Sequence, residues 1–158
     1  MTTIPSSEPA SQETGRPSGP SLQRGRVIEE AVDIGATLSR EAVWHDGRAI
    51  WLGDQVEPLG AGHRVVHRAC GGSLYDGTAG IGWFLARLAA QTDSTRARAD
   101  ALGAFRHALA VAPRLGPGLH DGAAGIGWAV LDGGSALDDP IAIDGLVVLI
   151  DALRRGLN

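Results

Sequence analysis

Apolar side chains recur at helical spacing along most of the chain after residue 22. In residues 23–39 they share one face and acidic residues lie on the other, which predicts an amphipathic helix that packs on the main body. In residues 43–52 two short apolar runs flank Asp46-Gly47, a pattern that predicts a small β-hairpin. Residues 54–72 are rich in glycine and are expected to form loops.

Two pairs of helices are predicted in the second half of the chain. Nearly every residue of the first helix, at about 78–91, is apolar, so this helix is expected to be buried on several sides. It is followed by helices at about 94–112, 123–131 and 139–155. The Gly-Gly-Ser segment at 133–135 is expected to form the turn before the last helix.

Several residues mark the predicted helix ends. Ser94 is the expected N-cap of the second helix, and Asp139 is the expected N-cap of the last, with Pro140 as its first helical residue. Gly156 is expected to end the last helix in the left-handed conformation. The helix after Ser94 is expected to expose a polar face to water, formed by Arg96, Arg98, Asp100, Arg106 and His107.

An eleven-residue loop occurs twice, at 73–83 and again 45 residues later at 118–128, with eight identical positions. A dense match at this offset indicates stacked supersecondary units. Glycine is unfavourable in a helix, so its repetition at two helix starts indicates that another backbone comes close or that the turn needs positive φ. The two aspartates are expected to fix each loop by local side-chain to backbone bonds. The repeat-loop residues are Asp76, Gly77, Gly80, Gly82, Asp121, Gly122, Gly125 and Gly127.

Both loops resemble the Leu-x-x-Gly-x-x-Gly-Ile loops of the lanthionine synthetase C family, which precede the inner helices of an α/α toroid. The resemblance covers roughly residues 44–158. It implies an all-α fold: an incomplete toroid of two α-hairpin repeats, at about 73–112 and 118–156, preceded by a helix and a small β-hairpin. Residues 23–158 would form this partial domain, and residues 1–22, which have almost nothing to bury, are expected to be a disordered tail.

The resemblance also implies a chemistry. Proteins of this family are zinc-dependent cyclases in which a cysteine thiolate of a precursor peptide adds to a dehydrated serine or threonine and forms a thioether. Two cysteines and one histidine hold the zinc, partly in a Cys-His-Gly motif, whereas this chain has one cysteine and no Cys-His-Gly. No catalytic residue is carried over, and the chain is expected to be inactive alone. His120-Asp121-Gly122 aligns with Tyr75-Asp76-Gly77 and is interpreted as loop structure.

A different metal site is conceivable at His63, His67 and Cys70. If this segment is helical, the three side chains share one face at i, i+4 and i+7, a spacing that zinc can use. Against it, the segment is short, glycines flank it, and no fourth ligand is nearby in sequence. The competing interpretation makes Cys70 an inert, small apolar residue.

Composition narrows the class of protein. With 158 residues the chain can form one domain, and its net charge of −4 argues against nucleic-acid and anionic-membrane partners. A single cysteine fits a reducing compartment, and no signal peptide or transmembrane run is visible, so a cytoplasmic location is expected. Dinucleotide-binding, phosphate-loop and serine-hydrolase motifs are absent from the sequence.

The last predicted helix leaves an apolar surface without a partner. A third loop would begin near residue 164, so we expect either further C-terminal repeats or self-association to cover this surface. Two functional hypotheses follow: part of a thioether-forming cyclase, or a non-catalytic helical-repeat interaction module. A glycosidase-like toroid would need paired carboxylates, for which Asp76 and Asp121 are the candidates.

Overall fold

The computed structural model describes residues 20–157, with side chains from residue 25 onward, and this part of the protein is mostly helical. The tail predicted for residues 1–22 lies largely outside it, although residues 20–22 belong to the first helix. The elements, in chain order, are α1 (Pro20–Glu41), β1 (Val43–His45), β2 (Arg48–Ile50), β3 (Leu52–Leu59), β4 (Gly62–Ala69), α2 (Thr78–Thr92), α3 (Thr95–Val111), a 3-10 turn (Ala112–Arg114), α4 (Ala123–Ala136) and α5 (Ile141–Gly156).

The predicted hairpin at 43–52 is confirmed as the antiparallel pair β1–β2. Asp46 and Gly47 both have positive φ, 47° and 71°, as the tight Asp-Gly turn requires. Ala49 and Trp51 are buried, and the Trp51 indole donates a 2.8 Å hydrogen bond to the Leu38 carbonyl at the end of α1. The hairpin is therefore held between α1 and α3.

The loop predicted for residues 54–72 is wrong, because most of this segment forms a second antiparallel hairpin, β3–β4. Its register is supported by cross-strand polar contacts: Asp54 faces His67, and Glu57 faces Arg64. Gly60 makes the turn with φ of 60°. Gly53 and Pro58 in β3 and Gly62 in β4 hid the strand pattern, and the side-chain pairs that stabilise the hairpin are up to 13 residues apart in sequence.

The four predicted helices of the second half are present as two antiparallel pairs, α2–α3 and α4–α5. The N-cap at Ser94 is confirmed, since its hydroxyl accepts a 3.2 Å hydrogen bond from the Ala97 amide. The last helix begins one residue later than predicted: Pro140 occupies the N-cap, and the Asp139 carboxylate accepts from the Ile141 amide at 3.2 Å. Gly156 lies within the helix and has no positive φ, so the left-handed end was a wrong prediction.

The turn predicted at 133–135 is also wrong, because α4 continues to Ala136. Packing explains the continuation. A Cβ atom at Gly133 would lie 2.5 Å from the Phe105 ring, and one at Gly134 would lie 2.8 Å from the Ala142 amide nitrogen. Both glycines therefore let neighbouring helices approach, and this contact outweighs their poor helix propensity.

The core lies between the two helix pairs and is built mainly from alanine, with Phe105, Leu85 and Ile126 as its largest fully buried apolar side chains. Three members of the predicted polar face, Arg98, Asp100 and His107, are partly or fully removed from water. Asp100 is fully buried, with Arg96 Nε 2.8 Å from its carboxylate, and His107 is half-buried. Within the described part, no helix has the length and apolar character needed to cross a membrane.

Candidate functional site

The two glycine loops have the same backbone structure in both copies. The first amide of the helix that follows each loop, α2 or α4, donates to a loop carbonyl at 2.8 Å, from Thr78 to Gly71 and from Ala123 to Gly116. The isoleucine amide three residues later donates at 3.4 Å to the carbonyl of Gly77 in the first copy and of Gly122 in the second. The offset of 45 residues in the sequence is therefore also a repeat in three dimensions.

Close backbone approach, and not positive φ, explains the loop glycines. A Cβ atom at Gly80 would come closer than 3.0 Å to the Leu74 carbonyl oxygen, and one at Gly125 would meet the Leu119 carbonyl oxygen in the same way. Gly77 and Gly122 face backbone atoms of their own loops just as closely. None of the four has positive φ. Each loop thus folds back on the first turn of its helix.

The third glycine of each copy lies at the contact between the two helices of its pair. Gly82 of α2 faces the Phe105 ring of α3, 2.9 Å from where its Cβ would be. Gly127 of α4 faces the backbone of α5, with 2.5 Å to the Leu149 nitrogen and 2.8 Å to the Gly145 oxygen. Side chains larger than hydrogen would separate the two helices of each pair.

The loops lie side by side at the N-terminal ends of helices α2 and α4. The Tyr75 amide donates to the His120 carbonyl at 3.0 Å, and the two rings meet edge to face at 6.4 Å. One turn further, the Trp83 and Trp128 rings are 5.3 Å apart, and the Trp83 indole donates to Asp132 at 2.7 Å. Both predicted loops therefore contribute to one continuous surface.

The two loop aspartates differ in their surroundings. In the first copy the Ser73 hydroxyl donates to the Asp76 carboxylate and accepts from the Asp76 amide at 3.3 Å, so the side-chain to backbone bond of this loop is made by Ser73 and not, as predicted, by the Asp76 carboxylate. In the second copy glycine replaces this serine. A Cβ atom at Gly118 would lie 2.7 Å from the Asp121 carboxylate, so the glycine makes room for it.

An apolar groove of about 710 Å³ lies between α1, the two loops and the helices α2 and α4. Its size is within the range of ligand-binding clefts. Asp76 is the one acidic residue among those that line it. The lining residues are Ile34, Leu38, Leu74, Tyr75, Asp76, Gly77, Gly80, Ile81, Trp83, Phe84, His120 and Trp128.

The metal site considered at His63, His67 and Cys70 is not formed. His63 and His67 lie on strand β4, where the rise of about 3.3 Å per residue puts His63 about 23 Å from Cys70. The His67 ring instead contacts the Asp54 carboxylate at 2.9 Å. In the described part of the chain, no group of three or more His, Cys, Asp and Glu side chains could hold a metal ion.

The Cys70 thiol lies at the base of the β3–β4 hairpin, where its amide donates to the Trp51 carbonyl at 2.8 Å. Burial, and secondarily the Asp76 carboxylate, raises the pKa of the Cys70 thiol. A raised pKa keeps the thiol protonated at neutral pH, and the protonated form is neither a nucleophile nor a good metal ligand. The structure thus favours the interpretation of Cys70 as an unreactive residue.

One polar contact near the loops was missed by sequence reasoning. The Thr78 hydroxyl, at the first residue of α2, lies 2.9 Å from His107 Nδ1 on α3. Burial, followed by the nearby Arg48 guanidinium, lowers the pKa of His107 and favours the neutral ring. The sequence did contain a signal for this contact: Thr78 is polar, whereas the equivalent residue of the second copy is Ala123.

Comparison with protein-family models and with curated proteins finds no match for this chain. What the protein does is therefore inferred from its own residues: the duplicated loop, the aromatic pair beside it and the groove that they border.

Proposed function

We propose that residues 23–158 are part of a lanthionine synthetase C-like domain, an incomplete α/α toroid of the type that forms thioethers in precursor peptides. One observation supports this proposal above all. Two Leu-x-x-Gly-x-x-Gly-Ile loops with the same backbone hydrogen bonds stand next to each other at one end of two inner helices. Further repeats of the same kind would continue this arrangement around a central cavity.

In this proposal the chain supplies a wall of the peptide site and not the reacting groups. Thioether formation breaks the S–H bond of a peptide cysteine, joins sulfur to the β-carbon of a dehydrated residue and delivers a proton to its α-carbon. Zinc in the complete domain would favour the thiolate and hold it. The residues described here do not fit a site of two thiolates and one imidazole, since Cys70 is the single cysteine and its pKa is raised.

The groove suits an extended peptide with apolar side chains. The Trp83 and Trp128 rings offer large flat surfaces, and aromatic rings bury much area with little loss of side-chain entropy. Trp83 is held by its hydrogen bond to Asp132 and so presents a fixed face to the groove. The precursor peptide of the complete domain is accordingly the proposed ligand of this surface.

The first test is of the chain alone. Purified protein should bind less than about 0.1 zinc per chain after dialysis and should leave the thiol of a dehydrated, cysteine-containing peptide free, because one protonated cysteine cannot form the required site. Metal analysis measures the first quantity, and thiol alkylation followed by mass spectrometry measures the second. About one tightly held zinc per chain, or loss of the peptide thiol, would contradict this prediction.

The second test adds the zinc-binding repeats of a complete domain. Mixed with a polypeptide that carries the zinc-binding repeats of such a cyclase, the chain should restore thioether formation. Changing Trp83→Ala together with Trp128→Ala should lower that activity, whereas Val56→Ala on the distant β3–β4 hairpin should not. A mixture that is folded, zinc-loaded and still inactive would overturn the proposed function.

The second candidate is a non-catalytic interaction module, and the exposed apolar face of α5 favours it. The apolar side chains on this face include Ile143, Val147 and Leu153, which are 66%, 55% and 55% exposed. Exposed apolar surface of this kind often marks a site of protein–protein interaction. Reading the coding sequence beyond the Asn158 codon separates the two candidates. Further Gly-x-x-Gly-Ile loops with Cys-His-Gly support the cyclase, and their absence supports the interaction module.

A further inference from the structure

A second cleft lies on the opposite side of α1 from the groove. Its walls are α1, the last turn of α2 and the first turn of α3, and its volume of about 780 Å³ is in the range of clefts that bind small molecules. On α1 the groove is bordered by Ile34 and Leu38, whereas the cleft is bordered by Gly35 and Ser39. None of the lining residues is shared, so the cleft is a separate site.

The floor of the cleft is apolar and buried. Leu88 and Ala97 are 8% and 4% exposed. Gly35 is also buried, and a Cβ atom there would overlap the Leu88 side chain, so α1 and α2 touch at this point and close the bottom of the cleft. An apolar group that reaches this floor leaves water, which stabilises the bound state.

Three hydrogen bonds hold the walls in place. The Trp51 indole donates to the Leu38 carbonyl at 2.8 Å, and Arg96 donates to the Ser39 carbonyl at 2.7 Å, which ties α3 to α1. Arg96 is itself held by the buried Asp100 carboxylate, which accepts from its Nε at 2.8 Å. A cleft with fixed walls loses little conformational entropy when a ligand enters.

The rim of the cleft carries positive charge. The exposed guanidinium groups of Arg40 and Arg96 border it, and no carboxylate is among the lining residues. Asp100 offsets the charge of Arg96. Arg40, in contrast, donates to the neutral Thr37 hydroxyl at 3.0 Å and forms no ion pair with the described residues. An anionic group at the rim therefore has the Arg40 guanidinium available as its partner.

The other polar groups of the cleft also favour an anion over a cation. Carbonyls at the ends of α1 and α2 would attract a cation, but two of those beside the cleft are already hydrogen-bonded to side chains: Ser39 accepts from Arg96, and Leu88 accepts from the Thr92 hydroxyl at 2.8 Å. The Ser94 hydroxyl accepts from a backbone amide, so its proton remains available to donate. The cleft therefore suits a ligand that accepts hydrogen bonds.

We propose that the cleft binds a small amphipathic anion, an alkyl carboxylate whose chain lies on the Leu88 floor and whose head group pairs with Arg40. A buried apolar floor and a guanidinium at the rim match the two ends of such a molecule, and a free medium-chain fatty acid has this chemistry. This binding goes beyond thioether formation and does not depend on it, because the cleft and the groove have no lining residue in common.

Four probes separate the contributions of the chain and the head group. Octanoate has both, 1-octanol and octyltrimethylammonium have the same alkyl chain with a neutral or a cationic head, and acetate has the head group alone. Isothermal titration calorimetry at neutral pH should find one octanoate per chain with Kd on the order of 100 µM. Octanol should bind about fivefold more weakly, since the ion pair is missing, and neither acetate nor the cation should bind measurably.

Variants then locate the site. Arg40→Ala should raise the Kd of octanoate about fivefold and leave the Kd of octanol unchanged, whereas a merely structural role of Arg40 would alter both. Ala36→Phe, at an exposed position of α1 that borders the cleft, should fill it and abolish binding of both ligands. Arg26→Ala is the matched control, since Arg26 is exposed on the same helix and does not border the cleft. Circular dichroism checks that each variant is folded, and Arg40→Ala keeps the test decisive if Ala36→Phe does not fold.

Four outcomes would overturn this assignment. A folded wild-type chain that does not bind octanoate at millimolar concentration has no such site. Octanol or the cation bound as tightly as octanoate means that the rim does not select an anion. Equal weakening by Arg40→Ala and Arg26→Ala means that octanoate responds to surface charge in general. Unchanged binding to a folded Ala36→Phe variant places the ligand elsewhere, for example in the groove.

Discussion

A single methyl group would not fit at Gly125. Its Cβ would fall against the Leu119 carbonyl oxygen, an atom of the backbone that cannot rotate away. We predict that Gly125→Ala lowers the free energy of unfolding by about 3 kcal/mol, since the loop must shift to relieve the overlap. Urea unfolding followed by circular dichroism measures this change.

Gly116 provides the matched control in the same loop. A Cβ atom there meets nothing within 4 Å, and its φ is not positive. Gly116→Ala should change the free energy of unfolding by less than about 1 kcal/mol. Equal effects at both positions would mean that the loop glycines are needed for flexibility and not for close packing.

His107 should make stability depend on pH. Its pKa in the folded protein is lowered by burial and by Arg48, whereas in the unfolded chain it is about 6.5. The unfolded state therefore binds more protons as the pH falls below about 6.5, so stability decreases until the pH reaches the lowered folded pKa. His107→Gln should reduce this slope, measured as the free energy of unfolding between pH 7.5 and pH 5. An unchanged slope would contradict the prediction.

Sequence reasoning identified the loop glycines but not the buried polar residues. The glycines could be recognised because they recur at equivalent positions of both loops, so each copy supports the interpretation of the other. Asp100 and His107 were placed in water because both stand among arginines on α3. Their burial comes from contacts distant in sequence: the Ser39 carbonyl that anchors Arg96, and the Thr78 hydroxyl. A periodic pattern contains no information about such contacts.

At the level of elements, the β3–β4 hairpin is nearly independent of the helices. Its side chains are mostly exposed, its charge pairs lie within the hairpin, and its few links to the body are near its base. We predict that replacing residues 55–66 by Asn-Gly keeps the helical fold and changes Tm by less than about 5 °C, because little core surface is lost. Far-ultraviolet circular dichroism and a thermal melt test this. A large loss of helical signal would mean that the hairpin supports the core.

The helices were predictable where periodicity and caps agreed, and less so where packing decided the outcome. Ser94 marked the start of α3 correctly, since its cap is a local hydrogen bond. The end of α4 was missed because Gly133 and Gly134 resemble a turn in sequence while serving as contact points for α3 and α5. The β3–β4 hairpin was missed for a related reason: its register depends on pairs of side chains across the strands.

Over the whole molecule, the two helix pairs are covered unequally. The first pair is flanked by α1 and the β1–β2 hairpin on one side and by α4 on the other. The second pair has the first as a neighbour on one side and the open face of α5 on the other. The sequence repeat predicted that the two pairs would be covered differently, because the equivalent helices α3 and α5 have different neighbours. It did not predict how α1 lies on α2, a contact made through Gly35 against Leu88.

The indole rings of Trp83 and Trp128 form an intrinsic spectroscopic probe of the protein. With centroids 5.3 Å apart and planes inclined by 45°, their excited states couple and give a paired signal in ultraviolet circular dichroism. The signal reports the spacing of α2 and α4, since one ring stands on each. Trp44 and Trp51, in and after the first hairpin, are not members of this pair. Any occupant of the groove would displace water from Trp128 and shift its emission to the blue, so occupancy can be followed without attaching a dye.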